Sequence, residues 1–155
     1  VAVISAGAVD HWLRCATAAL ILSAELGVDR IVTERELRFA ERTERRTIAS
    51  VEVGSLPGGV PRLHRPDLVV LEGERATAIE VELSAKAPAR LDVIIRAWRR
   101  AVGGRRLDGV RYLCAPGPAR RGVERTRARL VRIEEAPPRH RPGEPIIFPS
   151  SSGEG

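Results

Sequence analysis

Residues 76–84 read ATAIEVELS, alternating with a period of two. That period belongs to a β-strand, in which successive side chains point to opposite faces. Thr77, Ile79, Val81 and Leu83 share one face, the one a core wants. Ala78, Glu80, Glu82 and Ser84 share the other. Residues 68–71 (LVVL) follow Arg65-Pro66-Asp67 and read as a second strand, with Gly73 at the turn between the two. A two-stranded hairpin is marginal in water, so the rest of the chain must cover it.

The remaining elements supply that cover. Residues 8–26 have helical length without a breaker, and Gly27 gives a stop. This helix is apolar nearly all round, which predicts a buried position. Thr33 and Glu36 form an S/T-x-x-E capping box, opening a charged helix at 34–46. The pairs Glu34–Arg38 and Glu41–Arg45 predict a solvated face for it. Residues 47–53 read as a strand and 55–61 as a turn. Residues 89–102 form an amphipathic helix with Leu91, Ile94, Ile95 and Trp98 on one side, ended by Gly103-Gly104. A short strand at 110–115, a basic helix at 119–130 and a strand at 131–134 follow. From residue 136 the chain is rich in Pro, Ser and Gly and reads as a flexible tail. The order helix–helix–β–β–β–helix–β–helix–β predicts an α/β domain over 1–135 with a central mixed sheet flanked by helices, and a tail over 136–155.

Composition bounds the function. The 155 residues fit one domain with a real core. Aromatic residues are 3%, too few for a stacking platform on single-stranded nucleic acid. Cys15 and Cys114 cannot build a disulfide scaffold or a cysteine-rich zinc site, and His11, His64 and His140 show no zinc spacing. No apolar run reaches the roughly 20 residues that span a bilayer, and residues 1–10 lack the charged start of a signal peptide. A reduced, cytoplasmic protein with no membrane partner is the expectation. The absence of methionine makes Val1 either a GUG start or the edge of a fragment. The net charge is +6, carried by 25 arginines and a single lysine. That skew reflects a GC-rich genome in part, which weakens charge alone as a sign of DNA binding.

The chemistry-bearing stretch is Pro66-Asp67, twelve intervening residues, then Glu80-Val81-Glu82. Glu80 and Glu82 project from one face of one strand, roughly 6–7 Å apart. Asp67 opens the neighbouring strand and can approach the same face. Three converging carboxylates suit a hard cation such as Mg²⁺ or Mn²⁺, which activates water for phosphodiester hydrolysis. Lys86, the lone lysine, keeps the parity of Glu80 and Glu82 and could orient water or offset developing charge. Two bland readings stand beside this one. Glu80 and Glu82 could be the solvent face of an edge strand, and Lys86 an exposed junction residue. Arg90, Arg96, Arg99 and Arg100, with Arg120 and Arg121, could track DNA phosphates or line a solvated helix face. Cys15 and Cys114 read as buried, Trp98 as core, and His64 as a loop residue.

Pro66-Asp67 and Glu80-x-Glu82 on adjacent strands resemble the PD-(D/E)XK nuclease superfamily, and the element order resembles its restriction-endonuclease-like αβββαβ core. TERELR (33–38), HRPDLVVL (64–71), IEVELSAK (79–86), ARLDVIIRAW (89–98) and GVRYLCAP (109–116) are similar to the actinobacterial replication-relaxation family of plasmids and mobile elements. The resemblance covers about residues 8–130. It implies Asp67 and Glu80 as metal ligands, with Glu82 as a further ligand or water-orienting group. It implies Glu34 or Glu36 as the carboxylate that a helix adds; of these we take Glu36. Glu82 occupies the position of the motif lysine, and Lys86 is the candidate for a migrated one. An upstream winged-helix module common in that family is not visible here.

Two functions follow from the resemblance. One is a Mg²⁺-dependent DNA endonuclease or nickase of a plasmid or mobile element, with catalytic residues Asp67, Glu80, Glu82 and Lys86. The other is an inactive nuclease-fold module that binds DNA or recruits replication or mobilisation proteins. A homodimer is a further expectation, with Leu91, Ile94, Ile95 and Trp98 as one possible interface.

Overall fold

A computed structural model describes residues 5–126 and 131–138. The elements in chain order are α1 (Ala6–Leu26), β1 (Ile31–Thr33), α2 (Glu34–Glu44), β2 (Val51–Ser55), β3 (Pro61–His64), β4 (Leu68–Glu72), β5 (Arg75–Glu82), α3 (Pro88–Gly103), β6 (Gly109–Cys114), α4 (Pro118–Arg125) and β7 (Val131–Glu135). Five strands form a mixed central sheet in the order β1-β4-β5-β6-β7, and β2 and β3 pair separately. The class is α/β, as the alternation of strand and helix predicts. Strands β1 and β3 are additions to the expected order. Each has only three or four residues, too few for periodicity to register. Residues 127–130 of the expected basic helix, and 139–155 of the expected tail, lie outside the described residues.

Strands β4 and β5 form the expected hairpin, with Leu68 opposite Ile79 and Val70 opposite Thr77. Strand β6 runs parallel to β5, and β7 parallel to β6. Helix α3 makes the first of these crossovers and α4 the second. The hairpin therefore lies inside the sheet, and β5 is its central strand.

That placement overturns the edge-strand reading of Glu80 and Glu82. Ile79 and Val81 pack with Ala18 and Leu22 of α1 on one face. Ala78 packs with Leu91, Ile94, Trp98 and Val123 on the other. Both faces of β5 are covered, so the face that carries Glu80 and Glu82 is buried too, leaving them 3% and 4% exposed. The same packing corrects the interface reading of α3. Leu91, Ile94, Ile95 and Trp98 are spent on this core and face no solvent.

Two helices behave differently from their sequence patterns. Helix α1 buries only Thr17, Ala18 and Leu22 and leaves Val9, Trp12, Leu13 and Leu20 exposed. Its expected burial fails because the sheet covers one side of it and none of the described elements covers the other. Helix α2 has the expected capping box, with the Thr33 hydroxyl accepting the Glu36 N–H and Glu36 accepting the Thr33 N–H. Its Glu34–Arg38 pair forms at 2.5 Å. Glu41 does not pair with Arg45. It is buried, and Oε1 accepts the N–H groups of Ile48, Ala49 and Ser50 at 2.9–3.2 Å, while Oε2 accepts the Ser50 hydroxyl. Arg45 instead takes a left-handed conformation that ends the helix.

Candidate functional site

The carboxyl end of β5 collects most of the chemistry-bearing side chains. Strands β5 and β6 run parallel there, and open α/β sheets bind ligands in the crevice beyond such strand ends. A cavity of about 460 Å³ opens at this point, lined in part by His11, Val81, Glu82, Lys86 and Arg90.

Each carboxylate has a defined partner. Asp67 sits just ahead of β4, one step beyond the Leu68–Ile79 pair, which brings it beside the end of β5. Its Oδ2 accepts the Val81 N–H at 2.8 Å, and its Oδ1 lies 3.0 Å from Nε2 of His11 on α1. Glu80 turns to the α3 side, where Oε1 lies 2.7 Å from Nε2 of His64. The His64 ring meets Trp98 edge-on at 5.7 Å between centroids. Glu82 is ion-paired with Lys86, four residues further along the chain in the connection between β5 and α3.

The electrostatics follow from burial and these partners. Burial raises the Glu80 carboxyl above the usual carboxylate range; the hydrogen bond and charge of His64 oppose the rise, and the Asp67 charge adds to it. The hydrogen bond to Asp67 raises the His11 pKa, outweighing the burial that lowers it. Burial pushes the Cys15 thiol up, and the Asp67 and Glu80 charges reinforce this. His11 thus feels the charges of Asp67, Glu82 and Lys86, and Glu80 those of His64, Asp67 and Lys86.

Asp67, Glu80, Glu82 and Lys86 all arrive at one end of one strand. The oxygens of the three carboxylates do not all lie within 4.8 Å of one another. Among the described residues, the group of three His, Cys, Asp or Glu side chains with ligand atoms all within 4.8 Å is His11, Cys15 and Asp67. Asp67 is drawn toward α1 while Glu80 faces α3, so the sheet lies between their partners.

Glu36 is engaged in the helix cap. Both the N–H and the hydroxyl of Thr33 donate to its Oε2, and these bonds hold its carboxyl below the usual range. Replacing Glu36 by alanine is therefore expected to cost about 1 kcal/mol or less, as the loss of a cap does. Urea melts would read that cost. Mg²⁺ titration of the same variant is expected to match the wild type.

The arginines do not share one place. Arg96 and Arg100 line a groove of about 750 Å³ between α3 and β2, together with Arg106. Arg90, on the same helix, reaches the cavity at the end of β5. Arg99 turns away and donates to the Thr126 carbonyl at 3.2 Å. Arg120 pairs with Glu124 at 2.8 Å, and Arg121 is exposed on α4.

Three site residues escape the sequence reading. His64 is not a loop residue without a partner: it ends β3 and meets Glu80. His11 and Cys15 stand four apart on α1, a spacing that puts both on one helix face. That spacing was the available signal, but the third member of the group, Asp67, comes from 52 residues further on. Cys15 is half-buried, less than expected, and Cys114 is fully buried, with burial pushing its thiol up to about 11. No helix among the described residues is long and apolar enough to cross a membrane. Comparison with protein-family models, with curated proteins and with solved structures finds no match for this chain.

Proposed function

We propose that this domain is a metal-dependent DNA phosphodiesterase, an endonuclease or nickase of the PD-(D/E)XK type with a restriction-endonuclease-like core. The observation that carries the reading is the pairing of Lys86 with buried Glu82 at the carboxyl end of β5, beside Asp67 and Glu80. An acid occupies the motif-lysine position, and an ammonium is nevertheless delivered to that end of the strand. A plasmid or mobile-element setting, akin to the replication-relaxation family, belongs to the same proposal.

The donor set fits Mg²⁺ or Mn²⁺ in kind. Mg²⁺ binds through one or two carboxylates and keeps several waters. Asp67, just ahead of β4, and Glu80, on β5, would hold it with Glu82 as a further donor, once their side chains turned from His11, His64 and Lys86 toward a common point. The bound ion would lower the pKa of a water and offset phosphate charge. The protein's own residues do the rest. The Val81 N–H fixes Asp67, and His64 fixes Glu80. Lys86 lines the cavity and can neutralise charge that develops on a phosphate oxygen. Arg90 at the cavity, with Arg96 and Arg100 along the groove, forms a basic track on one helix suited to a sugar-phosphate backbone.

A second reading is an inactive nuclease-fold module that binds DNA or a replication or mobilisation protein. The observation favouring it is that Asp67, Glu80 and Glu82 each already have a protein partner. Calorimetry with Mg²⁺ and Mn²⁺, run beside a plasmid-nicking assay, separates the two. Metal binding and nicking that both vanish in Asp67→Ala/Glu80→Ala support the phosphodiesterase. Retained DNA binding with neither activity in the wild type leaves the inactive module. In the DNA-binding arm, Arg96→Ala/Arg100→Ala is expected to flatten the slope of log K against log salt by about 2, near 0.9 per lost phosphate contact. An unchanged slope would remove the groove from the interface.

A further inference from the structure

We propose that His11, Cys15 and Asp67 form a second kind of metal site, one for a Zn²⁺-class ion, with three protein ligands and an open fourth position. The site needs His11 and Cys15, which the phosphodiesterase reading does not use. It shares only Asp67 with that reading and does not rest on it.

Two of the three ligand-atom separations are near those of an occupied tetrahedral centre. Zn–N and Zn–O bonds of about 2.0 Å and a Zn–S bond of about 2.3 Å, opened at the tetrahedral angle, separate N from O by about 3.3 Å and S from N by about 3.5 Å. Here Nε2 of His11 lies 3.0 Å from Oδ1 of Asp67, and Sγ of Cys15 lies 3.5 Å from the same Nε2. All three ligand atoms lie within 4.8 Å of one another. Small movements would admit an ion between them. The helix sets the first two ligands, one turn apart on one face of α1, and the approach to β4 brings the third, Asp67, against that face.

The donor chemistry selects the ion. A thiolate, an imidazole and one carboxylate form a borderline-soft set that suits Zn²⁺ and disfavours Mg²⁺. Asp67 is already oriented as a ligand should be, because its second oxygen accepts the Val81 N–H at 2.8 Å. Three protein ligands leave one position for water or a substrate oxygen, the arrangement of zinc sites that do chemistry. His11 also lines the cavity that holds Lys86 and Arg90. The ligand class that fits beside those two cations is an anionic oxygen, such as that of a phosphate ester. A bound ion would in addition tie α1 to the sheet, which it otherwise meets through few buried side chains.

Co²⁺ titration of the metal-free full chain tests the site, because cobalt bound to a thiolate gives a near-ultraviolet charge-transfer band. The band is expected in the wild type and is expected to disappear on adding Zn²⁺. Cys15→Ser should abolish it, and His11→Gln should weaken Zn²⁺ binding at least about a hundredfold. Cys114→Ser should keep the band, since that thiol is buried in the other core. Circular dichroism checks that each variant is folded, and the His11 and Cys15 variants are independent of each other. Glu80→Ala should lose nicking yet keep the cobalt band, so failure of the phosphodiesterase reading and failure of this site are told apart. No band in the wild type, or a band that survives in Cys15→Ser, overturns the proposal.

Discussion

Replacing Glu41 by alanine is expected to destabilise the domain by about 3–5 kcal/mol, the range seen when one partner of a buried charged network is removed. Its two oxygens accept three backbone N–H groups and the Ser50 hydroxyl. Arg65 lies 3.4 Å from Oε2. Truncation strands those donors in a region where Ala49 and Ser50 are fully buried, and each buried unsatisfied donor costs about 1–3 kcal/mol. The connection from α2 into β2 would lose its anchor. Glutamine is expected to recover part of the loss, since its carbonyl oxygen can accept some of the same bonds. Urea melts at neutral pH measure both variants. A cost under about 1 kcal/mol for alanine would show that the 48–50 segment finds other partners.

The same residue predicts a pH dependence. Burial opposes the charge of Glu41, but the bonds from Ser50, Ile48 and Ala49 outweigh it and hold its carboxyl below the usual range. A lowered folded pKa stabilises the fold fully above the pKa of the unfolded carboxylate. That contribution drains away as the pH falls through the lowered folded value. The wild type should therefore lose stability in acid more steeply than Glu41→Gln, and the two should converge at low pH.

Lys86→Met is expected to cut nicking by about 10²–10³, the scale for removing one group that stabilises transition-state charge. The difficulty is that Lys86 also neutralises Glu82, which is 4% exposed. Removing one member of a buried pair leaves an uncompensated charge and lowers stability. Glu82→Gln/Lys86→Met removes both charges and isolates the stability effect, since Glu82 is itself a proposed metal donor. It should regain most of the stability lost in Lys86→Met while nicking stays low. Lys86→Arg should restore the charge but not the rate, because a planar guanidinium cannot place a compact charge at the same point. Full nicking in the double variant would make the pair purely structural.

The hairpin was legible because its cues are local. Alternation over 76–84 and Gly73 are read from adjacent residues, and the register with Leu68 opposite Ile79 agrees with them. The amphipathic stripe Leu91, Ile94, Ile95 and Trp98 and the Thr33–Glu36 capping box were legible for the same reason. The capping box, however, also shows how a local signal redirects a functional one. Glu36, which a motif would lend to a metal, is hydrogen-bonded to Thr33 within its own helix turn.

Local patterning placed the strand that carries Glu80 and Glu82, the helix that follows it, and the lone lysine between them. Tertiary structure alone decided the rest. Strand order put β5 at the centre of the sheet, which turned two carboxylates from a surface pattern into buried charges with His64 and Lys86 as partners. It drew Asp67 to His11 and Cys15 on α1, and it left half of an almost wholly apolar helix in solvent. The physical reason is common to all of these. Periodicity tells which side chains share a face, but burial and partnership depend on what covers that face, and the covering elements come from distant parts of the chain.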